Sequence, residues 1–224
     1  MKARLRENGL GLGFGVAFLL VLIGQALVGH ADFNHQQVAH NGPTMSLIRY
    51  VTSSDFGADV LENWQSEYLQ FSLYIFGTVW LLQKGSPESK DLDSAGAESE
   101  EDQQLGEHAS ESSPRWARAG GLKTRIYSNS LLLVMTAIWL ASWGVQAVAG
   151  RIAYNANQFD HQEAPLNLIQ YLGSSDYWNR TLQNWQSELL AVGSMAVLSI
   201  YLRQRGSPES KPVGAPHDAT AVSG

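Results

Sequence analysis

The chain has 224 residues, no cysteine and a formal net charge of −6. Without cysteine there is no disulfide framework, thiolate nucleophile or Cys-ligated metal centre. The acidity is local: residues 91–111 hold Asp91, Asp93, Glu98, Glu100, Glu101, Asp102, Glu107 and Glu111 with no Lys or Arg, so the surplus belongs to one segment and does not argue for an acidic functional surface.

From the N-terminus, Lys2, Arg4 and Arg6 precede Leu10–Val28, a run without charge whose one strongly polar residue is Gln25. About 20 apolar residues span a bilayer as a helix. Basic residues, an apolar run and Gly29-His30-Ala31 also resemble a cleavable signal peptide. The run is long for that purpose and has an internal counterpart at 131–149, so a retained first span is expected. Gly9, Gly11, Gly13 and Gly15 permit close helix packing at its inner end. A loop of roughly 30 residues follows, too long for a simple turn. It carries His30, His35 and His40 without an HxxxH or HExxH pattern, which reads as solvated histidines rather than a metal site. Met45–Val51 suits a short interfacial amphipathic helix. Ser54 and Asp55 are expected to cap a helix over about 56–84.

That helix opens with Asn63-Trp64-Gln65-Ser66-Glu67 and carries a second span at about 64–83. Its apolar part, Tyr68–Leu82, reaches only about 23 Å at 1.5 Å per residue, so the pentapeptide is expected at the outer membrane boundary. Trp64 would anchor that boundary and Trp80 the inner one. Gly85-Ser86-Pro87-Glu88-Ser89-Lys90 follows, with Gly85 suited to a helix C′ position and Pro87 preventing continuation. Residues 91–120, rich in Ser, Glu, Gln and Gly, are expected to be a disordered linker.

Beyond it the chain repeats. Asn184-Trp185-Gln186-Ser187-Glu188 and Gly206-Ser207-Pro208-Glu209-Ser210-Lys211 return at one offset of 121 residues, and roughly a third of about 83 aligned positions are identical. Residues 1–90 and 121–211 are therefore two copies of one two-span hairpin, the second with spans at about 131–149 and 185–203 and with Ser175/Asp176 as the matching cap, followed by a disordered tail at 212–224. His161, Trp185 and Tyr201 are the counterparts of His40, Trp64 and Trp80. The recurrence of Glu-Ser-Lys exceeds what a helix stop needs, and a cytoplasmic docking motif is the alternative reading.

The expected fold class is all-α: a four-helix transmembrane protein of two tandem hairpins related by a pseudo-two-fold along the membrane normal. Lys and Arg concentrate on one side of the spans, leaving only Arg49, Arg151 and Arg180 on the other, which places both termini and the linker in the cytoplasm. Gln25, Asn63 and Glu67, with Gln146, Asn184 and Glu188, then fall at similar depth. Two readings of this layer stand side by side. Amide and carboxylate side chains fasten membrane helices to one another. Two facing carboxylates at membrane depth also form a site for a proton, cation or small ligand.

Glu7-Asn8-Gly9-Leu10, Gly24-Gln25-Ala26, the Asn-Trp-Gln-Ser-Glu pentapeptide and Gln83-Lys84-Gly85-Ser86-Pro87-Glu88-Ser89-Lys90 resemble a bacterial family of integral-membrane proteins of unknown function. The resemblance implies a four-helix protein of the bacterial inner membrane and transfers no activity. No nucleophile–base pair, phosphate loop, dinucleotide fingerprint or nucleic-acid stripe is present, so no catalytic residue, cofactor, metal or nucleic-acid partner is expected. The expected role is non-enzymatic, as an envelope protein or an accessory subunit of a membrane assembly. Its partners would be the lipid bilayer and a larger membrane complex or further copies of the chain. A small transporter or channel built on Glu67 and Glu188 is the alternative.

Overall fold

The computed structural model describes residues 6–224, apart from the side chain of Asp160. The basic residues Lys2 and Arg4, used above for orientation, lie outside it. The described residues are helical and contain no strand. Three helices form the first copy: α1 (Gly9–Ala39), α2 (Leu47–Val51) and α3 (Ser54–Trp80). After a 3-10 turn at Gly106–His108 come two short helices, α4 (Arg115–Arg118) and α5 (Gly121–Ser128). The second copy is α6 (Ser130–Asp160), α7 (Leu168–Leu172) and α8 (Ser175–Tyr201). The copies match residue for residue: 31, 5 and 27 residues in each, all displaced by the offset read from the motifs.

The ends of these helices have local causes that are themselves repeated. α1 passes the end of its apolar run and stops where Asn41 turns left-handed (φ 57), with Gly42 N–H bonded to Gln37 O (2.7 Å) and Asn41 N–H to Val38 O (3.1 Å). This pair of bonds is a Schellman closure. The second copy reproduces it with Gln162 (φ 59), Glu163 N–H to Gln158 O (2.8 Å) and Gln162 N–H to Phe159 O (3.0 Å). The caps of α3 and α8 sit one residue earlier than expected. Ser53 Oγ accepts from Phe56 N–H and Ser174 Oγ from Tyr177 N–H, both at 3.3 Å, while Ser54 and Ser175 are already helical and Asp55 and Asp176 sit in the first turns.

Among the described residues, only α1 and Ser130–Phe159 of α6 combine length with enough apolarity to cross a membrane. α3 and α8 are long enough, at roughly 40 Å for 27 residues. Their N-terminal halves, 54–67 and 175–188, which include both pentapeptides, are polar and dilute their apolar stretches. The structure therefore supplies two candidate spans by composition where the sequence reading expected four.

The described chain falls into two compact units that cut across both copies. One is Met1–Leu61 with Val145–Tyr171; the other is Glu62–Gly144 with Leu172–Gly224. In the first unit the loops are fixed by one device used twice. Asn34 clamps the backbone of Met45, donating to its carbonyl (3.0 Å) and accepting from its N–H (2.8 Å). Asn155 does the same to Leu166 (2.9 and 2.8 Å). The clamp swings α2 and α7 back so that Tyr50 seats its hydroxyl over Gly29, and Tyr171 over Gly150. Phe33 and Phe56 flank Tyr50, and Tyr154 flanks Tyr171. His40 and His161 bond back to Gln36 O (2.8 Å) and Asn157 O (2.9 Å) of their own helices.

Candidate functional site

The second unit holds α3 from Glu62 onward and the whole of α8, and with them both pentapeptides. They share a sequence and differ in surroundings. Gln65 is fully buried and its Oε1 accepts from Trp185 Nε1 at 2.7 Å. Trp185 lies against Trp139 and Trp143 of α6, which stack on each other at 5.7 Å between centroids. Trp143 also meets Tyr177 and Trp178. The equivalents of Trp139, Trp143 and Trp178 in the first copy are Phe18, Leu22 and Gly57, so no matching indole cluster forms around Trp64, which is 39% exposed. Trp185 is thus an internal packing residue, a role its equivalence to Trp64 in the repeat does not reveal. Trp80 and Tyr201 remain exposed at the helix ends. Among the buried polar atoms here, Gln65 Nε2, Thr181 Oγ1 and the indole nitrogens of Trp139 and Trp143 have no hydrogen-bond partner among the described residues.

The polar residues proposed from sequence divide between the units. Gln25 and Gln146 belong to the first, where Gln146 is buried. Asn63, Glu67, Asn184 and Glu188 belong to the second. There, Ser66 is buried, donates to Asn63 O (2.9 Å) and lies within hydrogen-bonding contact of Glu188, whose carboxylate is also in electrostatic range of Glu67. Asn184 Nδ2 donates to Glu62 Oε1 (2.7 Å), and Arg180 pairs with Glu62 Oε2 at 2.9 Å. Sequence reasoning missed Glu62 and Arg180. The available signal lay in the departures from the repeat: Glu62 aligns with Gln183, and Arg180 with Asp59. Duplication makes like pairs, and a salt bridge between copies needs one member of a pair to change sign.

The Gly-Ser-Pro-Glu-Ser-Lys copies begin after the helices end at Trp80 and Tyr201, so their glycines are not C′ caps as expected. Each glycine sits third in a tight turn, Gln83–Ser86 or Gln204–Ser207, and has positive φ (85 and 81). That position of a type II turn favours glycine. The motif's last serine then folds back: Ser89 Oγ accepts from Gln83 N–H and Ser210 Oγ from Gln204 N–H, both at 2.9 Å. The lysines complete the closure. Lys90 Nζ pairs with Glu98 (2.6 Å) and donates to Gly96 O (2.9 Å). Lys211, 1% exposed, is ringed by the carbonyls of Gly85 (2.5 Å), His217 (2.8 Å), Ala219 (3.1 Å) and Pro216 (3.2 Å). It ties the C-terminal tail to the turn of the first copy. This gives the repeated Ser and Lys a structural purpose that the helix-stop reading lacked.

A bond from a charged donor is worth about 1.5–3 kcal/mol. Lys211→Met is therefore expected to raise amide hydrogen exchange in residues 212–224 by about tenfold or more while leaving α8 protected. Unchanged exchange in the tail would show that the lysine does not hold it.

Chemically, these arrangements position helices and turns through amide–carboxylate, indole–amide and ammonium–carbonyl bonds. No group of three or more His, Asp or Glu is placed to hold a metal among the described residues. Neither a curated protein nor a solved structure matches the chain. The profile of one family, described as a domain of unknown function (DUF6766), matches residues 1–222, and the chain belongs to that family.

Proposed function

We propose that the chain is a non-enzymatic, four-span protein of the bacterial inner membrane, with both termini and the 91–120 segment in the cytoplasm, acting as an accessory subunit of a membrane assembly. The observation that carries this reading is α1. It has 31 residues, its stretch Leu10–Val28 is apolar on every side apart from Gln25, and none of its residues is buried. A helix apolar on every side requires a cover, either lipid or protein. Its partner α6 buries Ser142, Gln146, Ala147 and Gly150, whereas the equivalent residues of α1 (Val21, Gln25, Ala26 and Gly29) stay uncovered or half-covered. That inequality between duplicated helices favours a protein neighbour for α1. In this reading α3 and α8 are the returning spans, with the pentapeptides at the outer boundary. Purification in mild detergent followed by identification of co-purifying membrane proteins is the test. A stable stoichiometric partner, lost when Val21, Gln25 and Ala26 are replaced by Leu, is expected. A monodisperse particle without a partner would overturn the accessory role.

The approach of Glu188 to Glu67 favours a second reading, a small transporter or channel using that pair. Under it, Glu67→Gln with Glu188→Gln would abolish proton or cation flux in proteoliposomes while the protein still folds. Under the accessory reading the double variant keeps its partner and wild-type vesicles show no flux above protein-free controls.

A further inference from the structure

The turns that leave α3 and α8 meet through their motif glutamates. Glu88 lies within hydrogen-bonding contact of Glu209, its counterpart in the second copy, and Tyr74 Oη donates to Glu88 Oε2. The three residues line one cavity of about 270 Å³. α3 contributes Gln70, Phe71 and Tyr74 and α8 contributes Ala191, Val192 and Met195, and among the described residues no Lys, Arg or His lines the cavity. An adjoining, mostly apolar trough of about 300 Å³ shares Gln70, Tyr74, Glu88 and Val192 and runs on to Leu81 and Ala196.

We propose that Glu88 and Glu209 are a protonation switch: one proton shared between their carboxyl groups joins the two Gly-Ser-Pro-Glu-Ser-Lys turns, and its release drives the turns apart and opens the trough between α3 and α8. Two carboxyl groups in contact form a strong O–H···O⁻ bond when they hold one proton. When they hold none, they are two like charges with no cation beside them, and they repel. No other reactant is needed: the proton leaves to solvent and both carboxylates stay behind. Glu88 is the holder of the proton. Burial, and then the neighbouring Glu209 carboxylate, raise it from its ordinary value of 4.5. Because the closed state binds the proton more tightly, closure is complete below that ordinary value and is lost as pH rises through the raised one. Tyr74 gives the switch a signature. Its hydroxyl favours the ionised form of Glu88, so removing it makes the proton harder to lose. The duplication supplies both halves of the device, since each copy contributes the same glutamate from the same turn. The switch is independent of the assembly role, because it concerns only the turns and the trough.

The test uses the full chain, which has no native cysteine. Spin labels at Gln83→Cys and Gln204→Cys, two exposed positions outside the carboxyl pair, report the separation of the turns. A short, narrow distance distribution is expected at about pH 4, and a longer, broader one at about pH 8. Tyr74→Phe should move the midpoint upward by about one pH unit. Glu88→Gln, whose amide donates to the Glu209 carboxylate without a proton, should stay short throughout. A wild-type distance that is the same at both pH values overturns the proposal. So does a transition that persists unchanged in the Glu88→Gln, Glu209→Gln double variant.

Discussion

Gly150→Ala is expected to cost about 2 kcal/mol of stability, and Tyr171→Phe to recover most of that loss in the double variant. A Cβ at residue 150 would stand 2.6 Å from Tyr171 Oη and 3.3 Å from Cζ. Tyr171 is 1% exposed, so its ring has nowhere to retreat. With the hydroxyl gone, the closest atom falls near ordinary van der Waals contact, and the clash reduces to a few tenths of an ångström. The first copy offers a replicate within the same molecule: Gly29 would place its Cβ 2.4 Å from Tyr50 Oη and 3.2 Å from Cζ. The same cycle with Gly29→Ala and Tyr50→Phe should give a coupling of the same sign and size. Thermal unfolding of the four variants in one detergent, followed by circular dichroism, measures both cycles. If the single and double effects simply add, the glycine–tyrosine contact is not what seats α2 and α7.

Trp185→Ala is expected to cost about 3 kcal/mol or more, and Trp64→Ala about 1 kcal/mol or less, although the two residues are equivalent in the repeat. Trp185 loses its contacts with Trp139 and Trp143 and leaves the buried Oε1 of Gln65 without its donor. An unsatisfied buried acceptor adds about 1–3 kcal/mol to the loss of packing. Trp64 is 39% exposed, and the first copy has no tryptophan at the positions equivalent to Trp139, Trp143 and Trp178. Trp185→Phe keeps a smaller ring for the stack and removes the N–H together with part of the indole, so it should recover part of the loss. Equal losses at Trp64 and Trp185 would mean that both act as membrane-interface anchors and that the indole cluster adds nothing.

The repeat was legible in the sequence because identical pentapeptides and hexapeptides at one offset admit no other simple origin. It carried the helical class and the equality of the two copies, but not the length of their first helices, which run past the apolar stretches to Ala39 and Asp160. Cap positions were legible only to within a residue. Ser53-Ser54-Asp55 offers three neighbouring side chains able to cap, and the backbone angle at which the chain enters the helix selects Ser53. Asn41 is a residue type that tolerates a left-handed closure, but the matching closure at Gln162 was not legible, since glutamine does not announce positive φ. Within the hexapeptide Lys211 suggests a docking motif, yet it folds inward and is 1% exposed. A lysine is found buried when several acceptors converge on it, and the carbonyls that do so come from residues 85 and 216–219, far apart in the chain.

The carboxyl pair shows the same division. The duplication led to the expectation that repeated glutamates would meet at Glu67 and Glu188, whose depth along their helices is calculable. Those two are in electrostatic range of each other, but the hydrogen-bonded contact forms at Glu88 and Glu209. Depth follows from a helical rise of 1.5 Å per residue. Direction does not, because a turn with positive φ re-aims the residues that follow it. By itself, the sequence determined that one helical unit occurs twice and which residues recur, because duplication copies local propensities along with local patterns. Tertiary structure alone decided which copies of a recurring residue are buried, paired or exposed, because those properties belong to the neighbours, and the neighbours of the two copies are different residues.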